Sequence, residues 1–129
     1  MIALMNEPFQ EASMKTFYIR SRVIDRVVVI YPKGHLDAHN VGRVEKEILK
    51  HIGNEHIYIV FNCRDLNYIS SAGMGIIMSY LDEVREKEGD IKFCGVSEQL
   101  YEIFDLVDFT AIYDFFETEQ VAIHKFIHK

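Results

Sequence analysis

The chain has 129 residues, 49% apolar and 26% charged, with 14 Lys and Arg against 20 Asp and Glu and a formal net charge of −6. That length holds one domain with a real core and is too short for two, and the balance excludes a disordered or fibrous chain. No apolar run reaches the roughly 20 residues of a membrane helix, and residues 1–5 lack the basic flank of a signal peptide; the expectation is a soluble, cytoplasmic protein with no membrane partner.

Residues 1–16 carry no sustained period and are expected to be an N-terminal extension, leaving one domain over 17–129. Residues 17–23 and 27–31 are β-branched and aromatic runs joined at Asp25 and Arg26, which predicts a hairpin ending at Pro32. Val41, Val44, Ile48 and Ile52 recur at helical spacing, with Asn40 as N-cap and Gly53 as C-cap. The continuous apolar run 57–61 suits a central strand covered on both faces. After a connector at 65–67, a helix carries Ile76, Ile77, Tyr80, Leu81 and Val84 on one stripe and stops at Gly89. A strand over 91–94, a helix over 98–106 capped by Ser97, a strand over 111–115 and a closing helix capped by Thr118 complete the chain.

This order predicts an α/β domain with a mostly parallel five-stranded sheet, an N-terminal antiparallel hairpin strand, and four helices mainly on one face. The loops at 34–40 and 62–71 would then lie side by side at the carboxyl ends of the strands, where α/β sheets gather function. An open sheet face could support a homodimer.

Several kinds of chemistry are disfavoured. An acidic chain repels phosphate backbones unless it carries a basic stripe, and Lys15, Arg20, Arg22 and Arg26 are spread along a strand region, so no nucleic acid is expected. Cys63 and Cys94 lack CxxC spacing and read as small buried hydrophobes. His35/His39 and His124/His128 are each four apart, but no carboxylate or cysteine completes a metal site, so neither metal nor cofactor is expected. GxSxG is absent, and nothing pairs a histidine base with a serine, so no catalytic residue is assigned.

The informative segment is Ile69-Ser70-Ser71-Ala72-Gly73-Met74-Gly75, a strand-to-helix turn. Ser70 or Ser71 sits at the N-cap, where a hydroxyl can bond a free backbone N–H. Gly73 and Gly75 each cost a helix about 1 kcal/mol. Tight packing against a strand or close access for another molecule would compensate. A phosphate on this turn would face the positive end of the helix dipole, adding a charge of roughly −1.5 to −2 without unfolding the domain.

GHLDAHN at 34–40, IYIVFNCRDLNYISSAGMG at 57–75 and FCGVSEQLYEIFDLVDF at 93–109 resemble the STAS domain, specifically the bacterial anti-sigma factor antagonists. The resemblance covers about residues 17–126. It implies a regulatory binding module that is not an enzyme. Unphosphorylated, such a protein binds an anti-sigma factor serine kinase of the GHKL type. Ser71 falls on the position that kinase phosphorylates, and a PP2C-type phosphatase resets it. Asp37 falls on an acidic residue of the neighbouring loop, implicated in partner or nucleotide contact. With Ser70, Ala72, Gly73 and Met74 it makes up the expected partner-binding set. Ser70 stands where the family usually has aspartate, and His35 where it usually has glutamate. The competing reading is a scaffold or small-ligand sensor in which Ser71 is only a helix cap.

Overall fold

The computed structural model describes residues 16–128. The expected extension over 1–16 therefore lies, apart from Thr16, outside the described residues. Strands β1 (Phe17–Ile24) and β2 (Val27–Leu36) form the antiparallel hairpin, with Asp25 at the turn in the left-handed region (φ 56°). Then follow α1 (Val41–Gly53), β3 (Tyr58–Asn62), β4 (Leu66–Ile69), α2 (Ser71–Ser79), α3 (Leu81–Glu86), β5 (Asp90–Cys94), α4 (Glu98–Leu106), α5 (Phe109–Ile112), β6 (Asp114–Phe116) and α6 (Glu119–Ile127). The sheet order is β1-β2-β3-β5-β6, and every pairing after the hairpin is parallel.

Side-chain alternation along these strands builds two cores. Val28, Ile30, Ile59, Phe61, Ile91 and Phe93 face the larger cluster, which also takes buried residues from α1 to α5. Val27, Val29, Val60 and Cys94 face the other way, against Ala122 and Phe126 of α6. Strands buried on both faces read as the near-continuous apolar runs seen in the sequence. Cys63 and Cys94 belong to different clusters and are free thiols.

The architecture adds a sixth strand, β4, where only a connector was expected. It is four residues long, half exposed, and paired only to β2, so its pattern Leu66-Asn67-Tyr68-Ile69 carries little alternation. The second strand also does not stop at Pro32 but runs on to Leu36. Val27 to Ile30 pair with β3, and the parallel partner switches to β4 at Gly34. Pro32 falls in the gap between these pairings, where a residue without an N–H is tolerated.

Two helical expectations also change. The single helix expected before Gly89 is interrupted at Tyr80, which closes α2 through its N–H to Ile77 and opens α3. The apolar stripe runs through the break, so periodicity could not reveal it. The strand expected over 111–115 is instead the short α5 followed by β6, with Tyr113 and Phe109 packed edge-on to Phe93. At the first helix Asn40 occupies the N-cap position but caps no helical N–H, and Asn54 rather than Gly53 is the C-cap. Ser97 and Thr118 cap α4 and α6 as expected.

Candidate functional site

The turn at 69–71 is tied to the loop after β2 by backbone pairing. Leu36 lies in register with Ile69 and His35 with Tyr68, and the Ser70 N–H donates to the Leu36 carbonyl at 2.9 Å. Sequence order alone put these loops side by side; the extra strand makes them one hydrogen-bonded unit. The His35 and Tyr68 rings meet at 5.8 Å between centroids.

The two serines do different things. Ser70 is the N-cap of α2: its backbone is extended and its Oγ accepts from the Gly73 N–H at 3.3 Å. Its carbonyl accepts from the Met74 N–H at 3.0 Å. Ser71 is the first residue of the helix and is exposed. Its Oγ makes no hydrogen bond among the described residues. First-turn N–H groups have no intrahelical acceptor, so the hydroxyl stands at the positive end of α2.

The two glycines also separate. A Cβ on Gly73 would lie 2.8 Å from Leu36 Cγ and 2.9 Å from Ile69 Cγ1, so this glycine lets α2 press on the ends of β2 and β4. A Cβ on Gly75 would meet nothing within 4 Å. Packing explains Gly73, and open access is left as the account of Gly75.

Asp37 is bound into its own loop. Its Oδ1 accepts from the His39 N–H at 2.9 Å, and its carbonyl accepts from the N–H groups of Asn40 and Val41. Asn40 is buried and returns the bonds, accepting from the Asp37 N–H at 3.0 Å and donating from Nδ2 to the His35 carbonyl at 2.8 Å. This explains why Asn40 does not cap α1: its side chain is spent on the loop. The Asp65 carbonyl accepts from the Gly34 N–H at 3.0 Å, bracing the connector.

Of the residues expected at the site, the fold gathers Asp37, Ser70, Ser71 and Ala72 at one end of the sheet. Ser71 and Ala72 are exposed, while Gly73 and Met74 are buried and support the helix start from beneath. Tyr68, 42% exposed, is a surface residue of this turn that sequence reasoning passed over, although it lies inside the motif. Among the described residues no group of three or more His, Cys, Asp or Glu could hold a metal, and no helix is long and apolar enough to cross a membrane.

Over residues 18–122 the sequence matches the STAS domain family. The anti-sigma-B factor antagonist of Listeria monocytogenes is 22% identical over 103 residues, covering 80% of this chain and 87% of that protein. An anti-sigma factor antagonist from Mycobacterium paratuberculosis has a similar structure, with a TM-score of 0.78 and 14% identity over 86% of this chain and 94% of that one. The Bacillus cell fate determinant SpoIIAA in its phosphorylated form gives a TM-score of 0.65 and 23% identity over 86% and 99%. At these identities the two structures speak to the fold.

Proposed function

This chain belongs to the STAS domain family, and on that premise we propose that it is an anti-sigma factor antagonist whose partner is released by phosphorylation of Ser71. The observation that carries the reading is the division of labour between the serines. Ser70 serves the helix, whereas Ser71 is exposed and its hydroxyl makes no hydrogen bond among the described residues. A phosphate there meets the helix dipole and leaves the cap intact. It also places roughly two negative charges beside the Asp37 loop, so a docked partner meets a changed surface on an unchanged fold.

In this scheme an anti-sigma serine kinase of the GHKL type binds the unphosphorylated turn through Asp37, Ser70, Ala72 and the exposed part of α2. A PP2C-type phosphatase restores that state. The chain acts as ligand and substrate and performs no chemistry of its own.

The test incubates the purified chain and ATP with each GHKL-type serine kinase of the encoding genome, followed by intact mass and peptide mapping. One phosphate on Ser71 is expected, with none on Ser71→Ala and normal labelling of Ser70→Ala. Ser71→Glu should lose kinase binding while its circular dichroism stays native. If Ser71→Glu binds as well as wild type, the switch is wrong and the scaffold reading takes its place.

A further inference from the structure

Among the described residues, the sheet face opposite α1–α5 is covered only in part. On this face α6 packs over Val27, Val29, Val60 and Cys94. Beyond it, alternation brings Tyr18, Arg20 and Arg22 of β1 to the surface, and the register sets Lys33 opposite Tyr18 and Tyr31 opposite Arg20. Tyr18 is 59% exposed. Three cavities of about 510, 530 and 350 Å³ lie along this face. Arg20 and Tyr31 line the first two, Tyr18 and Lys33 the last two, and Arg64 the first and third, so the cavities form one groove. The four basic side chains come from β1, β2 and the β3–β4 connection, which is why no basic stripe was visible along the chain.

The groove already holds a carboxylate. Glu119, the first residue of α6, accepts from the Tyr31 hydroxyl at 2.6 Å, from Arg22 Nη2 at 2.7 Å and from Asn62 Nδ2 at 3.1 Å. Arg20, Lys33 and Arg64 have no such partner: among the described residues no carboxylate lies within ion-pair distance of them. The Arg20 guanidinium stacks on the Tyr31 ring at 4.1 Å from its centroid. On a chain of net charge −6, three cations without an ion pair among the described residues are thus interleaved with two tyrosines. Tyr and Arg are also the residues that most often anchor protein interfaces.

We propose that this groove docks an extended acidic segment of a protein partner, on the side of the sheet away from Ser71. From Tyr18 to Arg22 the strand advances about 13 Å, enough for a segment of some four to six extended residues. Asp65 and Glu117, which also line the groove, oppose a ligand charged at every repeat. They favour a peptide, whose carboxylates can be spaced to miss them, over a nucleic acid strand. Because α2 packs in the cluster on the other face, through Met74 and Ile77, such a segment and a partner at Ser71 can be held at once. This proposal stands on the groove alone and does not depend on phosphorylation.

The test is fluorescence anisotropy of the full chain with a fluorescein-labelled Asp-Phe-Ser-Glu-Tyr-Asp peptide, whose carboxylates are spaced along the segment. Binding is expected at low salt, weakening as NaCl rises from about 50 to about 300 mM. The double reversal Arg20→Glu/Arg64→Glu should weaken it at least ~10-fold, and the neutral Arg64→Gln, at an exposed site, several-fold. Ser71→Glu should leave it unchanged. No binding, or binding indifferent to these substitutions in natively folded variants, overturns the proposal. Tighter binding of pyrophosphate or of a deoxythymidine decamer does so in favour of a phosphate ligand. A wild-type dimer that Arg20→Glu dissociates does so in favour of a second copy of the chain.

Discussion

The Ser70 N–H donates to the Leu36 carbonyl at 2.9 Å, and one residue later the chain presents Ser71 to solvent. The hydrogen bond fixes the serine turn to the end of β2, so Ser70 and Ser71 stand in a defined position relative to the Asp37 loop. A partner that reads both loops reads one rigid surface.

The two serines should separate in stability measurements. Ser70→Ala removes the cap to the Gly73 N–H and should cost about 1 kcal/mol in urea unfolding. Ser71→Ala removes an unbonded exposed hydroxyl and should change stability by less than about 0.5 kcal/mol. Equal costs would mean that the capping assignment is wrong.

The glycines should separate in the same assay. Gly73→Ala drives a methyl into Leu36 and Ile69 and should destabilise by about 1–3 kcal/mol. Gly75→Ala meets open space and should stabilise by about 0.5–1 kcal/mol. If Gly75 is kept for partner access, that stabler variant should also bind the kinase more weakly in calorimetry.

Stability should fall as the pH drops through the histidine range. Burial holds the His51 imidazole below its ordinary pKa; the neighbouring Glu47 works against this, and Lys50 and His56 add to it. The folded state therefore binds this proton less readily than the unfolded chain. The contribution is complete above about pH 6.5 and is lost progressively below it, until the folded-state value is passed. Burial pushes the Glu47 carboxyl up, but its bonds with Ser21, Lys50 and His51 outweigh this and hold it below its ordinary value, so a further loss sets in as the pH falls through the ordinary carboxylate range. Thermal melts at pH 7.5 and 5.5 should show a drop that His51→Gln reduces; an equal drop in the variant would refute the assignment.

Glu119 anchors α6 to the sheet. Glu119→Ala leaves Tyr31, Asn62 and Arg22 without their acceptor and should cost about 1.5–3 kcal/mol. Arg22→Ala, with its side chain 57% exposed, should cost at most about 1 kcal/mol. A reversed order in chemical denaturation would show that the helix is held by its apolar face alone.

The thiols should be inert in the folded chain. Burial raises both, Cys94 to about 12 and Cys63 further still, so neither supplies thiolate near neutral pH. A chromogenic disulfide reagent should react with both only after denaturant is added; a fast native phase would contradict this.

By itself the sequence determined the hairpin and the alternation of the main strands and helices behind it, the parallel sheet, the caps at Ser97 and Thr118, and the serine turn. These follow from local periodicity, capping chemistry and a motif of adjacent residues. It did not reveal β4, whose short ladder to β2 leaves no pattern of its own, or the break at Tyr80, which keeps the apolar stripe in phase. Which serine caps α2 was also open, because both residue types suit the position; only the geometry of the Gly73 N–H assigns it to Ser70. Arg20, Tyr31, Lys33 and Arg64 likewise come together only through strand register, since cross-strand neighbours are far apart along the chain. Local rules were legible because they act within a few residues, whereas pairing and packing join distant ones and needed the folded chain.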